Sequence, residues 1–256
     1  MNPSASITGD RGPTRFATTR WSLILTCASS NSSQETAHRA LTELCQIYWR
    51  PIFAFICRLG YSVPDAQDLT QDFFAITIEG KLLSVASPNR GRFRSLLLKA
   101  LQNFLRDKYE WQNAKKRCGG REHIPLHDWI AESPSRLSIS NELMAWSPDK
   151  IFDFRWAVTL TERALGRLGQ ECETCGRQRM FSILSKYLMS DRSEASYPSL
   201  AASLGVTESA VKRLLHHLRG RYRAILREEV AQTVETPADI EDEVRYLCAV
   251  LAAGGT

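Results

Sequence analysis

The sequence predicts an all-α protein built as two helical domains joined by a flexible linker. Three observations carry this expectation. Apolar residues recur at helical spacing through most of the chain. No segment sustains strand-like alternation. From Cys118 to Asp149, two glycines, Pro125, Pro134, Pro148 and several serines break any helical period, as a linker does. The expected division is a disordered N-terminus over 1–15, a first domain over 16–117, a linker over 118–150, a second domain over 151–234, and a C-terminal helix and tail over 235–256.

Each element has its own signal. From Ala37 to Leu59, Ala40, Leu41, Leu44, Ile47 and Tyr48 fall at helical spacing, with Pro51 marking an early turn or a kink. After Gly60-Tyr61-Ser62, a second helix should begin near Pro64. The turn signal Pro88-Asn89-Arg90-Gly91 should precede a third. A short helix is expected around Leu137 to Trp146 inside the linker. Periodicity then returns from Ile151 to Leu168 and again from Arg179 to Leu188. Two helices share Tyr197 to Arg227, and a last one follows Pro237, from Ile240 to Leu251.

With 256 residues and 43% hydrophobic content, the chain can bury one large core or two small ones. No run of 18 apolar residues exists, so no membrane span is expected. The start, MNPSASITGDRGPTR, lacks the apolar stretch of a signal peptide, and a cytoplasmic location follows as an expectation. The seven cysteines, Cys27, Cys45, Cys57, Cys118, Cys172, Cys175 and Cys248, read as small apolar residues or incidental thiols. Cys172 and Cys175 form one CxxC pair without a partner pair. A structural loop and a redox or metal-sensing role both fit it. No cofactor, metal or catalytic residue is expected.

The net charge of +5 is small, and its distribution says more. From Asp65 to Glu79 there are four acids and no base. Asp65, Asp68 and Asp72 share one helix face, and Ala66, Leu69 and Phe73 share another. The acidic face is either a solvated surface or a protein-docking surface. Carboxylates in this pattern can also hold Mg²⁺, but no nearby His, Lys or Tyr completes a catalytic set. The next helix has the opposite sign. From Arg90 to Arg121, ten bases face only Asp107 and Glu110. Phe93, Leu96, Leu97, Ala100 and Phe104 form its apolar stripe, while Lys99, Gln102, Asn103 and Arg106 form its polar side. Tyr109 and Trp111 add aromatic rings, followed by Lys115 and Lys116. Bases neutralise phosphates and rings stack on unpaired nucleobases, so this helix is a candidate single-strand platform. The other reading leaves the rings as partly buried packing residues.

The segment from Tyr197 to Arg227 predicts a helix-turn-helix. Ser199 is the expected cap of a short helix bearing Leu200, Ala201 and Leu204, with the small Ala201 admitting a crossing helix. Gly205 sits at the turn. Thr207 caps the second helix, and Glu208 places a negative charge in its first turn. Val211, Leu214, Leu215, Leu218, Tyr222 and Ile225 form one apolar stripe. The N-terminal half of such a helix fits a major groove about 12 Å wide. Ser209, Lys212, Arg213, His216 and Arg219 are the candidate DNA contacts, with Arg219, Arg221 and Arg223 placed for phosphates or a protein partner. Gly220 lies inside the expected helix, at a cost of about 1 kcal/mol relative to Ala, and is a candidate bend. The alternative is a basic amphipathic helix packed in a bundle. The last helix, IEDEVRYLCAVL, is acidic on one side; packing against the second domain and binding a regulator both suit it.

These segments together resemble a known family. DAQDLTQDFF at Asp65 to Phe74 resembles the second conserved region of bacterial sigma-70-type initiation factors, in the extracytoplasmic-function group. RGRFRSLLLKALQNFLRDKYEWQNAKKR at Arg90 to Arg117 resembles the continuation of that region. TRWSLIL at Thr19 to Leu25 resembles the opening of a large subgroup, and LGVTESAVKRLLHHLRGRYRAILREEV at Leu204 to Val230 resembles the fourth region. The resemblance implies σ2-like and σ4-like helix-turn-helix domains over 16–117 and 151–234. It implies that Asp65, Asp68, Leu69, Gln71 and Asp72 dock on the clamp helices of the largest subunit of core RNA polymerase, with the flap as a further contact. Lys99, Asn103, Arg106, Tyr109, Trp111, Lys115 and Lys116 would melt and hold the −10 element. Ser209, Lys212, Arg213, His216 and Arg219 would read the −35 element of promoter DNA. The linker would thread toward the polymerase active site, and an anti-sigma factor is a candidate regulator. Catalysis would belong to the polymerase. Two other functions compete with this one: a stand-alone helix-turn-helix regulator binding a palindrome, and a metal-dependent nucleic-acid enzyme using Asp65, Asp68 and Asp72.

Overall fold

In the computed structural model, residues 34–78, 93–115, 145–188, 196–234 and 236–254 are described. They form eight α-helices and no strand. The helices are α1 (Gln34–Arg58), α2 (Val63–Ile78), α3 (Phe93–Lys115), α4 (Pro148–Thr174), α5 (Gln178–Leu184), α6 (Tyr197–Leu204), α7 (Glu208–Ala231) and α8 (Asp239–Gly254), with a 3₁₀ turn at Ser185–Tyr187 after α5. The expectations for residues 1–15, for Thr19 to Leu25, for the Pro88–Gly91 turn, for most of the linker and for the helix from Leu137 lie outside the described residues.

Helix boundaries follow local chemistry. α1 runs on through Pro51 without ending, against the expected early turn. Pro51 is buried with its neighbours Ile52 to Ile56, so tertiary packing outweighs the missing N–H. α4 starts at Pro148 rather than Ile151 because Ser147 caps it: the Ser147 Oγ accepts from the Lys150 N–H, and proline suits the first turn. It also runs past Leu168 to Thr174, where Gly176, at φ +67°, lets the chain leave. The helix therefore begins within the residues 118–150 expected as linker. Ser199 does not cap α6. It lies inside that helix, which begins at Tyr197 with Pro198 in its first turn and Ser196 as cap residue, without a side-chain cap bond.

One long helix organises the core. α4 buries Phe152, Trp156, Ala157, Leu160, Ala164 and Leu168. It lies against α1, α7 and α8, and its contact with α1 is the most extensive in the fold. A single apolar cluster thus runs from Leu44, Ile47, Tyr48 and Ile56 on α1, through α4, to Val211, Leu215, Leu218 and Ile225 on α7. Phe73 and Phe104, 5.5 Å apart between ring centroids, join α2 to α3, and Tyr48 meets Phe93 edge-on at 5.5 Å. The helices expected in the first domain and those expected in the second share this one core. The physical reason is α4 itself, whose apolar residues wrap far enough around the helix to serve two sides.

Candidate nucleic-acid interface

The helix-turn-helix is built residue by residue. α6 ends at Gly205, whose φ of +67° is the left-handed conformation that a glycine adopts without strain. There the Val206 N–H donates to the Ala201 carbonyl at 3.1 Å and the Gly205 N–H to the Ala202 carbonyl at 3.3 Å, closing the helix. Thr207 starts the next helix: its Oγ1 accepts from the Ala210 N–H at 3.3 Å. Ala201 is buried where α6 crosses α7. α7 buries Val211, Leu215, Leu218, Tyr222 and Ile225, with Leu226, Glu229 and Val230 continuing the stripe, while Leu214 is half-buried. The helix continues unbroken through Gly220.

On the opposite side, Ser209, Lys212, Arg213 and His216 are all exposed, over the first two turns and a little more. His217 and Arg223 are exposed too. Lys212 Nζ lies 5.0 Å from the centre of the Tyr197 ring, which holds the lysine beside α6 by a cation–π contact. Arg219 differs from its neighbours. It is half-buried and its Nη2 donates to the Tyr187 carbonyl at 2.7 Å, tying α7 to the 3₁₀ turn. Arg221 is also occupied. Its Nη2 and Nε meet the two Glu171 oxygens at 2.6 and 2.8 Å, and Nη1 reaches Glu228 at 3.3 Å. The same contact holds the Glu171 carboxyl below its ordinary range.

An ion-pair chain fixes α7 to α4. Glu229, only 2% exposed, accepts from Arg163 at 3.2 Å and Arg167 at 2.8 Å, both on α4. Arg163 also reaches Glu43 of α1 at 3.0 Å, and Arg167 reaches Glu228 at 2.6 Å. Breaking a buried member of such a set leaves an uncompensated charge, which is costly. Nothing in the sequence pattern distinguished these arginines from surface bases; their spacing to partners more than 60 positions away is not visible locally.

The acidic helix α2 is more committed internally than its charge pattern implies. Ser62 caps it: the Asp65 N–H donates to Ser62 Oγ at 3.3 Å, and that hydroxyl donates to Asp65 Oδ2 at 2.5 Å. Asp72 pairs with Lys108 of α3 at 2.6 Å. Leu69 is buried, Gln71 is half-buried and Asp68 is exposed. Exposed Leu59 and Val63 flank the turn before α2.

Along α3, Lys99 and Arg106 are exposed, Asn103 is half-buried, and Tyr109 is 61% exposed. These four lie on the side away from the core residues Phe93, Leu97, Leu101, Phe104 and Leu105. Leu96 and Ala100 are half-buried, so the apolar stripe is rotated toward Leu101 and Leu105 from the one expected. The backbone of Trp111 and Lys115 belongs to α3, but their side chains, and Lys116 altogether, lie outside the description. One base of the run is misassigned by charge counting. Arg94 is 6% exposed and faces inward. Its spacing was the clue: 94, 97, 101 and 105 fall on one helix face, and the last three are leucines.

Cys172 is buried and Cys175 is exposed at the end of α4. Burial, with Cys175 and Glu171 nearby, pushes the Cys172 thiol up. No helix among the described residues is long and apolar enough to cross a membrane. Comparison of the chain with family models, with curated proteins and with solved structures finds no match.

Proposed function

We propose that the chain is a dissociable initiation subunit of the sigma-70 type. In this reading it binds core RNA polymerase through α2, opens and holds the −10 element with α3, and reads the −35 element with α7. The observation that carries the reading is the α6–Gly205–α7 unit, which presents Ser209, Lys212, Arg213 and His216 on the free side of a capped helix. The motif resemblance supplies the rest: DAQDLTQDFF and SLAASLGVTESAVK stand in the family's order and separation. The exposed set Lys99, Arg106 and Tyr109 on α3 supports a single-strand platform, since bases and a ring project together from one helix. On α2, the exposed Asp68, with Asp65 at the helix start, supports docking on a basic partner. Cytoplasmic location and an anti-sigma partner belong to the same proposal.

The test separates the two halves. Asp68→Ala should weaken core polymerase binding in a pull-down. Arg213→Ala should weaken promoter binding by about 1–3 kcal/mol with core binding kept, as loss of a base-edge contact does. If Arg213→Ala left promoter affinity unchanged at fixed salt, the major-groove assignment would be wrong. The stand-alone regulator is marked by tight binding to a palindromic duplex without polymerase. The nuclease reading draws no support from the geometry, because Asp65 is engaged in the cap of α2 and Asp72 in the Lys108 pair.

A further inference from the structure

Three helices distant in sequence meet on one side chain. Arg94, in the first turn of α3, reaches Asp153 Oδ1 on α4 at 2.6 Å and Glu243 Oε1 on α8 at 3.2 Å. Its guanidinium carbon lies 4.7 Å from the centre of the Trp156 ring on α4 and 4.5 Å from the Tyr246 ring on α8. Tyr246 Oη donates to the second oxygen of Asp153. Glu243 is 1% exposed, so this is a buried cation shared by two carboxylates and flanked by two aromatic rings.

The rest of α8 packs through apolar side chains on α4 and α7. Along its 16 residues only Glu243 and Leu247 are buried. Ile240, Val244, Val250 and Leu251 are half-buried, and the Arg227–Glu241 pair lies at the surface. The charged contacts of α8 with α3 and α4 lie in its central turn: Glu243 meets Arg94 of α3 and Tyr246 meets Asp153 of α4. Packing against the second domain alone would not need Arg94.

We propose that α8 is a strap that fastens the start of α3 to α4 through Arg94, so that seating or lifting the C-terminal helix sets whether the two groups of helices move as one body. With the strap seated, Arg94 is withdrawn from any phosphate, and the first turn of α3 is fixed against α4. α3 carries Lys99, Arg106 and Tyr109, and α4 backs the reading helix. The consequence for DNA, that the strap holds the two reading surfaces in one fixed relation, rests on the proposed function. The mechanical claim does not.

Amide hydrogen exchange on the full chain tests it. Glu243→Gln is expected to speed exchange in residues 93–98 and 148–156 as well as in 239–254 by roughly tenfold or more, since it removes one of the two charges that balance the buried Arg94. Exchange in 208–220 should stay as in the wild type. Tyr246→Phe removes one hydroxyl and keeps the ring; it should give the same pattern at smaller amplitude, and it serves if Glu243→Gln fails to fold. Acceleration confined to 239–254 would overturn the proposal, because α8 would then be an appended helix and not a fastening. A second arm reads coupling. Arg94→Met, Glu243→Gln and the double variant should lose stability far less than additively. Arg94→Lys should not restore the wild-type pattern, since lysine lacks the flat fork that two carboxylates and two rings require. Additive losses would overturn the shared-cation account. Failure of the DNA reading is separately visible: if Lys99→Ala with Arg106→Ala left single-strand affinity unchanged, that reading would fall, while the exchange pattern would still decide the strap.

Discussion

Gly220 sits in the middle of α7, and replacing it with alanine should stabilise the protein. α7 passes unbroken from Glu208 to Ala231, so residue 220 is in ordinary helical conformation. It is exposed, and a Cβ placed on it meets nothing within 4 Å. No packing term therefore opposes the gain, and what remains is the backbone entropy that glycine loses on entering a helix. That difference is about 1 kcal/mol, which for a chain of this length raises Tm by about 2–4 °C. Gly205→Ala is the matched control. Its Cβ also meets nothing within 4 Å, but φ there is +67°, and an L residue in that conformation costs about 1–2 kcal/mol. Two equally open sites should thus shift stability in opposite directions. The assay is urea and thermal unfolding followed by far-ultraviolet circular dichroism, with the m-value checked for constancy. A lowered Tm for Gly220→Ala would refute the reasoning, and so would a loss of the same sign at both sites.

Three further predictions follow from single contacts. Thr207→Ala removes the cap of α7 and should cost about 1 kcal/mol in unfolding experiments, with exchange of the Ala210 amide rising first. Glu171 and Glu241 have carboxyls held down chiefly by hydrogen bonds from Arg221 and Arg227. Depressed acids contribute stability that is full above their unfolded value, about 4.3, and that is lost as pH falls through the lower folded value. Melting curves taken on the acid side should therefore steepen against pH below about 4.3, and Glu171→Gln should show less of that dependence. Alkylation by a maleimide should label exposed Cys175 and Cys248 first. Cys45 and Cys57 should lag, because burial pushes their thiols up to about 12 and about 11; equal labelling rates across all four would count against the described packing.

Much of the fold was legible because the signals were local. Thr207, Gly205 and the apolar stripe of α7 each act within a few residues, and the structure places them as the sequence indicates. The failures have a common cause. Pro51 is tolerated inside α1 because buried neighbours hold it, which is a tertiary effect that propensity does not contain. Ser147 capped α4 from within a stretch that composition marked as linker. Charge counting placed Arg94, Arg219 and Arg221 with the exposed bases. Their partners are Asp153, the Tyr187 carbonyl and Glu171, at 32 to 59 positions' distance. Of the candidate DNA-contacting residues, Ser209, Lys212, Arg213, His216, Lys99 and Arg106 are exposed as their helical phase indicates. Asp72 and Leu69 of α2, candidate docking residues, are instead drawn into contacts within the chain. Helical phase separates the two groups better than residue type, as Arg94 shows by falling in register with three leucines.

The central claim is that the chain directs polymerase to promoters and does not act on DNA alone. In vitro transcription with core polymerase on a genomic library, with start sites mapped, tests it most directly. The account predicts discrete starts that appear only when the chain is added, that share two upstream elements, and that are lost with Arg213→Ala. Transcription unchanged by the chain, together with tight binding of the chain alone to a palindromic duplex, would contradict it.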